Sequence, residues 1–158
     1  MEWKEGNIEG VQLRSMARNS DNRGWLAEFF REDEIDHNIM PSMGYISVTH
    51  AGDTRGPHEH CDQTDFFAFP GPGDFRVKMW DNRPDSPTYG NLQTVVAGES
   101  SPMTIILPPG VVHGYTNISE IDAYVINVPN RLFAGKGKKQ PVDEIRHENK
   151  QDTPFLMG

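Results

Sequence analysis

Gly52-Asp53-Thr54-Arg55-Gly56-Pro57-His58-Glu59-His60-Cys61-Asp62-Gln63-Thr64-Asp65, followed later by Pro108-Pro109-Gly110-Val111-Val112-His113-Gly114-Tyr115-Thr116-Asn117, decides how this chain is read. In an extended strand, side chains i and i+2 share a face. His58 and His60 therefore point together, while Glu59 and Cys61 point away. If the two segments occupy neighbouring strands of a small barrel, His113 joins the pair inside. Three imidazoles and the Asp65 carboxylate then converge. Such a cluster holds a divalent metal or supplies an acid–base pair.

The rest of the chain fits a barrel. Short apolar runs sit between turn signals such as Pro70-Gly71-Pro72-Gly73, Asp81-Asn82 and Pro108-Pro109-Gly110. Besides the two histidine segments, the pattern predicts strands over Gln12–Met16, Leu26–Phe30, Gly44–His50, Asp65–Phe69, Phe75–Trp80, Leu92–Val96, Met103–Leu107 and Ala123–Val128. Arg31–Asp36 suits one short helical turn. Many short strands at this spacing predict an all-β sandwich or barrel. The length, 158 residues, suits one domain spanning 1–158. The stretch 135–158 is polar and is expected to dock on the barrel or stay mobile.

Charge narrows the function. Lys+Arg number 15 against 23 Asp+Glu, for a net charge of −8. Nucleic-acid and membrane-surface partners both call for a basic footprint, so neither is expected. A nucleotide ligand remains compatible, because a few local arginines suffice for a diphosphate. A single cysteine, Cys61, excludes an internal disulfide framework. Met1-Glu2-Trp3-Lys4-Glu5 lacks the basic start and apolar run of a signal peptide, and a cytoplasmic location is expected.

Four motifs then carry a resemblance. Asp21-Asn22-Arg23-Gly24-Trp25-Leu26-Ala27-Glu28, Arg55-Gly56-Pro57-His58, Asp81-Asn82-Arg83-Pro84-Asp85-Ser86-Pro87-Thr88-Tyr89-Gly90 and Pro108–Tyr115 are similar, in order, to signatures of the dTDP-4-dehydrorhamnose 3,5-epimerase family. The resemblance implies a cupin-type jelly-roll barrel and a homodimer in which the Asp21–Gly24 segment reaches the neighbouring subunit's site. It implies a nucleotide-linked 4-keto-6-deoxy sugar as substrate and inversion next to the C4 ketone, with no cofactor required. Carried over, His58 is the base and Arg55 a diphosphate or sugar contact. Arg23 and Glu28 contact the nucleotide, and His113 and Tyr115 line the sugar site. The family base is held by an aspartate from the C-terminal segment. Asp143 offers that residue type, while Glu148 and Asn149 stand closer by spacing.

Two family groups are replaced. The position of the family's lysine falls at Asp65, and that of its catalytic tyrosine at Asn127. The chain gains His60 instead. Gly52, His58, His60, Pro108, Gly110, His113 and Asn117 match the metal-binding spacing of the wider cupin superfamily, with Asp65 in place of a glutamate. The ligand set would be His58, His60, Asp65 and His113, holding zinc, iron, manganese or nickel. A metal-bound His58 is no longer a free base, and Glu59 or Tyr115 would then move the proton. Three functions follow: a sugar-nucleotide epimerase or isomerase, a metal-dependent cupin enzyme on another small carbonyl substrate, or a sugar-nucleotide-binding protein without catalysis.

Plainer readings stand beside these. The three histidines could be hydrogen-bonded interior residues. Asp81, Arg83 and Ser86-Pro87-Thr88 could pair to form a turn. Arg23 and Glu28 could be an exposed pair. His147 reads as part of a solvated charge run, and Cys61 as a buried, inert thiol.

Overall fold

The computed structural model describes residues 2–158. Its strands are β1 (Lys4–Glu5), β2 (Gln12–Ser15), β3 (Asn19–Asp21), β4 (Gly24–Leu26), β5 (Tyr45–Thr49), β6 (Thr54–Glu59), β7 (Asp65–Phe69), β8 (Asp74–Asp81), β9 (Asn91–Gly98), β10 (Met103–Leu107), β11 (Val111–Asn117), β12 (Ala123–Asn127) and β13 (Ile145–Arg146). One sheet runs β1-β9-β8-β11-β6-β13, and the facing sheet runs β2-β10-β7-β12-β5. β3 and β4 form a separate hairpin. The architecture is all-β, two sheets packed as a cupin-type jelly roll.

Period-two alternation explains the core. Phe75, Val77 and Met79 of β8 point inward, as do Phe67 and Phe69 of β7 and Ile105 and Leu107 of β10. The Tyr115 ring meets Phe67, Phe69 and Phe75 edge-on, with centroids 5.2–5.9 Å apart. Edge-to-face rings pack without opposing their negative faces. This aromatic layer closes the barrel beneath the histidines.

The polar C-terminal stretch docks. β13 pairs with β6, and Phe155 buries against Trp80 and Val112 on the outer face of the six-stranded sheet. Full burial of one such ring is worth about 1.5–3 kcal/mol, enough to hold a short segment. His147, expected in solvent, is instead buried: its Nε2 lies 2.8 Å from Glu59 Oε1, and its ring lies tilted against Phe155, centroids 4.6 Å apart. Glu59 does point away from the histidines, as alternation requires, and there it meets the tail. Cys61, expected to be buried, is exposed, because β6 ends at Glu59 and the chain turns outward. The strand expected over Leu26–Phe30 is only the short β4; Phe30 leaves the hairpin to pack edge-on against Phe66. The expected helical turn is present as Glu32–Glu34.

The Asp81–Gly90 motif builds a turn rather than a pocket wall. The buried Asp81 carboxylate accepts from Arg83 Nε at 2.7 Å and from Ser86 Oγ at 2.6 Å, and Thr88 also donates to it. Burial raises its pKa, but these donors outweigh burial and hold it at about 2. A depressed carboxylate stabilises the fold above its unfolded pKa and loses that contribution as pH falls through its folded pKa. Wild-type stability is therefore expected to fall by about 2 kcal/mol between about pH 4 and about pH 2 through this group. Asp81→Ala is expected to be about 2–3 kcal/mol less stable at neutral pH and to lack this part of the acid dependence. Urea denaturation across that pH range checks both.

Candidate active site

β6 and β11 are antiparallel neighbours, with His58 opposite His113. Gly56 permits this. Its φ is +80°, and a Cβ there would stand 2.7 Å from the His113 carbonyl. Only glycine fits so close an approach at positive φ. His58, His60, Asp65 and His113 each direct one ligand-type atom inward, all within 4.8 Å of one another. His58 and His60 line a pocket of about 920 Å³ between the two sheets, a volume suited to a small organic ligand. Arg55, Tyr45 and Tyr115 share its wall, while Asp65 and His113 are buried behind His60.

The supporting contacts separate these residues. His113 Nδ1 donates to the Val111 carbonyl at 3.0 Å, and His60 Nδ1 to the Asp143 carbonyl. Asp65 Oδ1 accepts from Asn127 Nδ2 at 2.9 Å and from Gln63 Nε2 at 2.8 Å. Asp65 Oδ2 then faces His60 Nε2 and His113 Nε2, each 3.1 Å away. His58 has no side-chain hydrogen bond among the described residues. Its ring lies edge-on to His113, centroids 4.5 Å apart.

The electrostatics follow. Burial, then the neighbouring His113, pushes His58 down to about 3, so its ring is neutral with a free lone pair. Burial lowers His60 too, but the Asp65 carboxylate outweighs it and lifts His60 to about 9. Burial raises Asp65, and the facing His113 and His60 rings outweigh that, holding it well below the usual carboxylate range.

Several expected residues stand elsewhere. Asp143 does not hold His58. Its carboxylate accepts from the backbone N–H groups of Cys61, Asp62 and Gln63 at 2.8–2.9 Å, because the chain turns around it there. Its carbonyl positions His60 instead. Arg23 and Glu28 lie outside their own chain's pocket: Arg23 Nε donates to Asp21, and Glu28 lies near Arg31. Arg55 is on the wall, its guanidinium held by Thr49 Oγ1 at 3.0 Å and the Val48 carbonyl at 2.7 Å.

Tyr45 was not singled out from the sequence. β5 and β12 place it opposite Asn127, whose Nδ2 donates to the Tyr45 hydroxyl at 3.0 Å. A phenol therefore stands beside the position where the family's tyrosine would be. Its pKa is pushed up to about 12, first by desolvation in the pocket wall, so it carries its proton. Tyr45 comes from the five-stranded sheet and His58 from the six-stranded one, so they face each other across the pocket.

A jelly roll with a neutral imidazole, an arginine and a protonated phenol around one pocket is a frame that suits proton transfer on a small ligand. The comparisons narrow the class. The dTDP-4-dehydrorhamnose 3,5-epimerase family model matches residues 5–139, and the chain belongs to that family. It is 39% identical over 128 residues to the probable low-salt glycan biosynthesis epimerase Agl13 of Haloferax volcanii, covering 80% of this chain and 81% of that protein. It is 35% identical over 121 residues to the spore coat polysaccharide biosynthesis protein SpsL of Bacillus subtilis, covering 75% and 78%. The crystal structure of a dTDP sugar isomerase from Desulfovibrio desulfuricans G20 shares the fold, with TM-score 0.80 at 24% identity over 94% of this chain and 91% of that one.

Proposed function

We propose that this protein epimerises a nucleotide-linked 4-keto-6-deoxy sugar, dTDP-linked as in its family, at a carbon next to the C4 ketone, in the biosynthesis of a glycan. The single observation that carries this reading is the pairing of an unencumbered imidazole, His58, with a protonated phenol, Tyr45, on opposite walls of one pocket in a member of this family. His58 takes the α-proton, and the C–H electron pair moves toward the ketone oxygen. Tyr45 returns a proton to the other face of the same carbon. Arg55 holds the substrate, with Tyr115 closing the pocket floor. Arg131, Lys136 and Arg146 at the pocket edge suit a diphosphate.

The reading extends to a homodimer in the cytoplasm, where nucleotide sugars are made. In the dimer, Arg23 and Glu28 of one subunit would complete the neighbour's nucleotide site. Exposed Trp25 and Leu26 on the hairpin, and Ile46 and Val48 on the edge strand β5, support an association surface there. Among the described residues no helix is long and apolar enough to cross a membrane.

The test is direct conversion. Incubation with dTDP-4-keto-6-deoxyglucose is expected to give a C3 or C5 epimer by NMR. Tight nucleotide-sugar binding without conversion of dTDP-, UDP- or GDP-linked 4-keto sugars would leave a binding protein instead.

A further inference from the structure

Behind the pocket wall, three ligand-type atoms of His60, Asp65 and His113 converge. His60 Nδ1 and His113 Nδ1 both donate to backbone carbonyls, so each Nε2 faces Asp65 and offers a lone pair once an ion displaces any proton held there. Asp65 Oδ1 is satisfied by two amide donors, which leaves Oδ2 turned toward those nitrogens. Asp65 Oδ2 and His113 Nε2 are buried and lack a hydrogen-bond partner. Unpartnered buried polar atoms are rare and mark a missing occupant.

We propose that His60 Nε2, His113 Nε2 and Asp65 Oδ2 bind one divalent transition-metal ion, with its fourth position open to the pocket and His58 left free beside it.

The distances fit. Atoms bound tetrahedrally at about 2.0–2.2 Å from an ion lie about 3.3–3.6 Å apart. Asp65 Oδ2 already stands 3.1 Å from each nitrogen. The donors fit as well: two imidazoles and a carboxylate suit zinc, cobalt, iron or manganese. Ligating histidines ordinarily donate their second ring N–H to a carbonyl or carboxylate, which fixes the tautomer and the ring. His60 and His113 both do so, and Asp65 is anchored in the same way. His58 has no such anchor, which separates it from the set although it stands close by. The Gln63 amide, 3.2 Å from His60 Nε2, would give up that contact to the ion.

The site stands on this geometry. Its role rests on the epimerase reading: a bound ion would supply positive charge opposite the ketone oxygen, where this chain carries Asp65 and no lysine. Three protein ligands with an open position are the arrangement of catalytic rather than structural metal sites.

The test is elemental analysis of untagged protein purified without chelators, together with a Co²⁺ titration followed by visible absorption. Wild type is expected to carry about one metal per chain and to give a tetrahedral Co²⁺ spectrum. His60→Ala and His113→Gln are expected to lose at least tenfold in bound metal, while His58→Gln retains it. Wild-type protein that carries no metal and gives no Co²⁺ spectrum would overturn the proposal. Loss of metal in His58→Gln equal to that in His60→Ala would overturn the three-ligand assignment. Because metal content is read without substrate, metal without sugar epimerisation would sink the proposed reaction and leave the site standing. Epimerisation by protein stripped of its metal would remove the ion's role at the ketone and leave the reaction standing.

Discussion

His58→Gln is expected to lower the rate of hydrogen exchange next to the ketone by about 10³-fold, the scale on which a positioned base contributes. Glutamine roughly preserves the volume of the ring and offers an amide without a basic lone pair. The His58 side chain makes no hydrogen bond among the described residues, so its loss leaves no stranded partner there. Stability should change little, and KM should stay within a few-fold, since Arg55 and the pocket-edge cations remain. The measurement is deuterium incorporation from D₂O into dTDP-4-keto-6-deoxyglucose under single-turnover conditions. A variant that exchanges at the wild-type rate would remove His58 from the chemistry.

Tyr45→Phe is expected to separate two rates that His58→Gln lowers together. With the base intact, proton removal and return on the same face continue, and exchange persists within about tenfold of wild type. Delivery to the opposite face loses its donor, so formation of the inverted product should fall by about 10²-fold. Tracking exchange and epimer in one NMR time course reads both. Equal loss of the two would make Tyr45 a binding group and leave the proton donor elsewhere. The change also removes the oxygen that accepts from Asn127 Nδ2, although that amide retains its bond to Asp65.

The sequence carried much of this because strand alternation is local. His58, Glu59 and His60 take opposite faces by period two alone, and two turn-flanked segments of matching motif pair as β6 and β11. What it concealed depends on register between distant strands. Tyr45 has no motif around it, and its place beside Asn127 exists only once β5 pairs with β12. Asp143 is the right residue type in the right segment, yet its carboxylate meets three N–H groups of the turn after β6, and spacing cannot reveal that. His147 sits in a run of charges that reads as solvated. Only the reach of the tail to Glu59 and Trp80 buries it. The substitutions at the family's lysine and tyrosine positions were legible as losses. The structure places the Tyr45 phenol beside the second and the His60 and His113 rings against the first.

Proton removal next to the ketone of a nucleotide-linked 4-keto sugar is the step on which the proposed function turns. Wild-type protein in D₂O with dTDP-4-keto-6-deoxyglucose tests it most directly. Deuterium is expected at C3 or C5, appearing at least as fast as the epimer. Substrate shown to be bound, with both C–H bonds unexchanged after prolonged incubation, would contradict it.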